Sequence, residues 1–88
     1  MDEKTVERAL IKHVKDQGGI AYKFTSPNRR SVPDRLCVFP GGRVVFVECK
    51  RPGGKLTKLQ AREIERLREM GFEVMVVDGK DGVEGVIG

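Results

Sequence analysis

The sequence predicts an α/β fold, a mixed β-sheet flanked by helices in the order α-β-β-β-α-β. Three observations carry this. Two segments, about Asp2 to Gln17 and Thr57 to Met70, repeat apolar residues at helical spacing and are followed by glycine. Two β-rich runs on either side of Pro40-Gly41-Gly42 read as a hairpin. The second helix then bridges the hairpin to another apolar run, Phe72 to Asp78, and such a crossover makes the last two core strands parallel.

The 88 residues leave room for one domain, spanning 1–88. So short a chain buries a modest share of its surface, which makes self-association an expectation. Charged residues make up 34% and the net charge is +4, a bias compatible with a polyanionic partner but far weaker than a histone-like tail. The N-terminus lacks the apolar core of a signal peptide and no stretch reaches transmembrane length. The expectation is a soluble cytoplasmic protein with no membrane partner. Cys37 and Cys49 are the only cysteines, too few with His13 for a zinc site, and they read as small buried thiols.

On the first helix Val6, Leu10, Ile11 and Val14 form one arc, with Lys4, Arg8, Lys12 and Asp16 outside it. Glu7 falls inside the arc, so it either reaches past to solvent or serves a site. Glu3 is explained by its place in the first turn, where a carboxylate meets the helix dipole. His13 lies at the edge of the stripe and reads as a packing or solvated residue. Ile20 to Phe24 is a short strand. The polar loop Thr25 to Pro33 carries Arg29 and Arg30, which suit either a solvated loop or contacts to a phosphate backbone.

The hairpin runs from Asp34 to Lys50. With Pro40-Gly41-Gly42 as the loop, Val38 faces Val44, Cys37 faces Val45, Leu36 faces Phe46 and Asp34 faces Glu48. Opposed residues have Cβ atoms about 4.5–5.5 Å apart, and alternation puts Lys50 on the same face as the acids. A loop one residue shorter would send the acids to opposite faces. Two facing carboxylates repel and raise each other's pKa unless a cation sits between them. A divalent ion with hard oxygen ligands, Mg²⁺ or Mn²⁺, is the economical choice. The alternative is an ordinary ion pair between Lys50 and Glu48 on a solvated face. Val44 to Val47 make the strand apolar on both faces and therefore central, where charges need a purpose.

Beyond the hairpin, Arg51-Pro52-Gly53-Gly54-Lys55 is a turn with two more cations. Leu59, Ile64, Leu67 and Met70 mark the buried face of the second helix, with Gln60 and Glu63 on the same arc. Gln60 is also the fourth residue of Thr57-x-x-Gln60, so it either closes a capping box or serves a site, one at a time. After Asp78 a glycine-rich end is expected to pack through Val83, Val86 and Ile87, with some apolar surface from this region and the helix left for a partner to cover.

Val32-Pro33-Asp34 followed by Val47-Glu48-Cys49-Lys50, with a glutamate on the N-terminal helix, resembles the PD-(D/E)xK nuclease superfamily. The extension Lys50-Arg51-Pro52-Gly53, with Leu56-Thr57 and Gln60, is similar to the VRR-NUC family and its small stand-alone phage and bacterial members. One departure is Ser31, where the family pattern has glycine or a similarly small residue. The resemblance implies a restriction-endonuclease-like fold and metal-dependent hydrolysis of phosphodiester bonds. It implies that Asp34, Glu48 and the Cys49 carbonyl hold Mg²⁺ or Mn²⁺, with Glu7 as an outer acid. Lys50 would orient or deprotonate the attacking water, and Gln60 would support the site by a hydrogen bond. The basic segments, with Arg29, Arg30, Arg51, Lys55 and Lys58, would contact DNA. Stand-alone members are similar to homodimeric Holliday junction resolvases, which implies branched DNA, a four-way junction, as partner. Larger relatives cut flaps. A non-catalytic DNA-binding module of the same fold is the other class of function, and the intact Asp34, Glu48 and Lys50 speak against it.

Overall fold

The computed structural model describes residues 1–88. Helix α1 spans Glu3–Asp16. Its start is fixed by Asp2, whose carboxylate accepts from the Thr5 amide at 2.8 Å and satisfies one of the free N–H groups of the first turn. Val6, Leu10 and Val14 are fully buried along one side, as the apolar stripe predicts. Strands β1 (Ile20–Lys23), β2 (Arg35–Val38), β3 (Val44–Cys49) and β4 (Val74–Val77) form one sheet in that order. The first three are antiparallel, and β4 runs parallel to β3, joined to it through helix α2 (Lys58–Glu69). The predicted order α-β-β-β-α-β is therefore present, and a short helix α3 (Lys80–Glu84) follows it.

The hairpin loop sets everything that matters about the site. The Phe39 amide donates to the Arg43 carbonyl at 2.9 Å, and Gly41 and Gly42 turn the chain at φ +91° and +87°, where a Cβ would be strained. This three-residue loop gives the pairs Val38–Val44, Cys37–Val45 and Leu36–Phe46. Asp34 and Glu48 lie one step beyond the last ladder pair, Arg35–Val47, and so on the opposite face from those two.

On the face that carries Cys37, Val45, Val47, Cys49 and Val77, helices α1 and α3 close the core. On the other face the Phe46 ring packs between Phe24 and Phe72, with centroids 5.5 and 5.6 Å away. Helix α2 covers only part of this second face, burying Ile64. Ile20 and Tyr22, each 52% exposed, and Val44 are left in solvent.

Two expectations about packing are corrected. Val83 and Val86 are buried against α1, so the uncovered apolar surface is the β1–β2–β3 face rather than the C-terminal segment, from which Ile87 alone projects. Leu59 and Met70 are 56% and 61% exposed. They lie on the flank of α2 that faces the loop after β1, where they line two clefts instead of the sheet.

Candidate active site

Asp34 enters the site from the start of β2. Its carboxylate is fixed by the hairpin itself: Oδ2 accepts from the Cys49 amide of β3 at 2.8 Å. Glu48 comes from the end of β3, the central strand, and is 1% exposed. Burial, and then the negative charge of Asp34, push its carboxyl up to about 8. Its Oε1 is buried without a hydrogen-bond partner, a rare condition for a polar atom in a folded chain. Its Oε2 accepts from Gln60 Nε2 at 3.3 Å and lies 4.0 Å from Lys50 Nζ. Period-two alternation along β3 puts Lys50 beside Glu48, as the sequence predicts.

Gln60 does not have to choose between cap and site. Its Oε1 accepts from the Thr57 amide at 3.0 Å and its backbone amide donates in return to the Thr57 hydroxyl at 3.1 Å, closing the capping box. The opposite end of the same side-chain amide donates to Glu48. The two functions use different atoms, so one residue ties the first turn of α2 to the buried carboxylate.

Glu7 is placed differently from the other predicted residues. Arg35 follows Asp34 and so points to the α1 face, where its Nε donates to Glu7 Oε2 at 2.7 Å and a guanidinium nitrogen donates to the Ala21 carbonyl. Glu7 thus neither reaches solvent freely nor sits against Asp34 and Glu48. It remains within electrostatic range of the site. Burial, then the charges of Asp34, Glu7 and Glu48, hold the Cys49 thiol well above its ordinary range. Burial likewise pushes Cys37 up to about 11. Both thiols are free, buried and unreactive in character.

The donor set suits a small divalent cation. Two carboxylates lie close together at one strand end, one carboxylate oxygen lacks a partner, and no trio of acidic, histidine or cysteine side chains is spaced to enclose an ion completely. Mg²⁺ is commonly held in this open way, by one or two carboxylates, water and substrate phosphate.

The basic residues separate into two groups. Arg51, Lys55 and Lys58 are exposed around the turn into α2. Arg29 and Arg30 instead line a cleft of about 380 Å³ with Asn28, Leu59, Arg62, Glu63 and Arg66. Arg29 donates to both oxygens of the buried Glu63, at 3.2 and 3.3 Å. The sequence pattern gave no sign of Arg35, Arg62 or Arg66 as partners in either place, since none stands on an apolar stripe or in a motif.

Comparison with known proteins agrees with this geometry. The VRR-NUC domain family matches residues 3–81. A phage protein named "Putative nuclease p44", from Acyrthosiphon pisum secondary endosymbiont phage 1, is 52% identical over 79 residues, 90% of this chain and 85% of its own. A solved structure described as a VRR_NUC domain superposes with a TM-score of 0.88 at 32% identity, covering 93% of this chain and 89% of that one. A matched family over nearly the whole chain, a matching fold, and Asp34, Glu48 and Lys50 brought together at one strand end lead to one conclusion: the chain belongs to the VRR-NUC nuclease family.

Proposed function

We propose that the protein is a metal-dependent DNA endonuclease that acts on branched DNA, a four-way junction above all, as a homodimer. The observation that carries the hydrolytic reading is Glu48: a fully buried carboxylate with an unpartnered oxygen, facing Asp34 and flanked by Lys50. Such an arrangement is costly in a structural strand and useful beside a phosphodiester.

Asp34, Glu48 and the Cys49 carbonyl would hold Mg²⁺ or Mn²⁺. When bound, the ion lowers the pKa of a coordinated water and offsets phosphate charge. Lys50 orients the attacking water and stabilises the negative charge that develops on the phosphate oxygens. Gln60 keeps Glu48 aimed, and the Asp34 contact to the Cys49 amide keeps the two strand ends in register. Glu7, held by Arg35 through Oε2 at 2.7 Å, acts as an outer acid with its other oxygen, directly or through water. Arg51, Lys55 and Lys58 contact the DNA backbone near the site. Support for a dimer comes from the exposed Ile20, Tyr22 and Val44 on one sheet face, a surface that a second copy can bury.

The test is cleavage of four-way junction, flap and linear duplex DNA in parallel, with Mg²⁺, with Mn²⁺ and with chelator. The expected result is metal-dependent cutting of the junction, reduced at least about 100-fold by Asp34→Asn and by Lys50→Ala. Binding of DNA should survive both changes, because phosphate contacts elsewhere dominate affinity. Full turnover by Asp34→Asn would refute the metal site, and equal rates on all three substrates would refute junction selectivity.

A further inference from the structure

The cleft between the loop after β1 and helix α2 has no part in the chemistry just described, yet it is strongly cationic. Four guanidinium groups line it: Arg29 and Arg30 from the loop, Arg62 and Arg66 from successive turns of α2. One carboxylate stands among them. Glu63, 9% exposed, accepts from Arg29 through both oxygens and lies 3.5 Å from Arg66. Arg30 and Arg62 have no acidic partner and no side-chain hydrogen bond. Leu59 is the one apolar residue of the lining, and Asn28 adds a neutral donor. Four cations against one anion leave the cleft with a net charge of about +3 at neutral pH, since guanidinium stays protonated there.

Like charges gathered this closely repel unless something holds them. Glu63 offsets the repulsion for Arg29 and Arg66, and it does so from a buried position that ties the loop to the helix. The two unpaired guanidiniums gain nothing from the fold by being there. Planar N–H forks of this kind match the paired oxygens of a phosphate, and the open cleft admits a phosphate with its adjoining sugars.

We propose that this cleft is a second anion subsite that grips a backbone phosphate of the bound DNA strand away from the cut. The inference rests on the nuclease reading for the identity of the ligand. Gln60 touches Glu48, and Arg62 and Arg66 stand two and six residues further along the helix. At about 100° per residue they project from the side of α2 turned away from Gln60, so the phosphate held in the cleft is a different one from that at the cut. Arg62 and Arg66 thereby join Arg29 and Arg30 as DNA-binding residues.

The test is equilibrium binding of a fluorescent DNA duplex in EDTA across a salt series, which needs no catalysis. Arg62→Ala/Arg66→Ala should lower the slope of log K against log salt by about one and weaken binding about 5- to 10-fold at 0.1 M salt. Arg30→Ala, in the exposed loop, should act in the same direction and serves if the double variant folds poorly. Arg62→Lys/Arg66→Lys should keep the slope, because the charge is retained. Lys15→Ala, an exposed cation on α1, should change nothing. An unchanged slope in the alanine variants, or an equal loss in Lys15→Ala, would overturn the subsite while leaving the nuclease reading intact. Wild-type protein that fails to bind the duplex at any salt would instead refute the DNA reading, and the subsite with it.

Discussion

At the scale of single residues, Glu48 makes the firmest demand. Its ordinary pKa is 4.5 and its native value lies near 8, raised chiefly by burial. Between those values the folded chain holds a proton that the unfolded chain releases, so stability falls as pH rises through that window. The metal-free protein should therefore melt at a higher temperature at pH 5 than at pH 8. The contribution is about 1 kcal/mol or more, on the order of 5 °C for a domain this small. Millimolar Mg²⁺ should raise the melting temperature more at pH 8 than at pH 5, because it favours the ionised carboxylate. Calorimetry over this range checks both, and Glu48→Gln should flatten both responses. Ser31 gives a second prediction. It is the one non-glycine residue with positive φ, +64°, a backbone region that glycine occupies without strain. Ser31→Gly should stabilise the chain by about 0.5–1 kcal/mol, the left-handed strain relieved less the entropy that glycine adds to the unfolded state. Urea denaturation measures it.

At the scale of elements, the hairpin and the crossover are legible in the sequence because each rests on a period. Alternation along β3, with a countable loop, yields the Asp34–Glu48 face; glycine-stopped helical repeats yield α1 and α2. What the sequence hides is the company each face keeps. Glu7 stands on the buried arc of α1, but only the fold shows that Arg35 projects onto that arc. Leu59 and Met70 carry the right spacing for burial, yet the loop opposite them has no periodicity from which its course over α2 could be read. Gln60 was ambiguous because sequence treats a side chain as one unit, whereas its amide has two ends. A separation of those ends is testable. Gln60→Glu keeps an acceptor for the Thr57 amide, so helix content should hold by circular dichroism. It replaces the donor to Glu48 with a third negative charge, and cleavage should fall by about 10-fold or more. Activity equal to wild type would show that the contact to Glu48 is idle.

For the whole molecule, the sheet is unequally clothed: α1 and α3 seal one face, while α2 leaves the β1–β2–β3 part of the other bare. Sedimentation at micromolar concentration should give about twice the chain mass of 9.8 kDa. Ile20→Glu/Val44→Glu should yield a folded monomer that loses junction cutting while each site stays chemically intact. A wild-type monomer at all concentrations would remove the two-fold scheme. The turn at Pro40-Gly41-Gly42 has a different bearing on the molecule, one that concerns heredity more than energy. It lies about 20 Å of strand from Glu48, at roughly 3.3 Å per residue, and touches nothing catalytic. Substitutions there that tolerate the turn should pass unnoticed. A slip of the pairing by one residue, with Pro40 drawn out of the turn to face Arg43, would by contrast send Asp34 and Glu48 to opposite sides of the sheet and silence the enzyme without touching a catalytic residue. In descendants of this gene the turn should vary freely in any way that keeps Phe39 opposite Arg43.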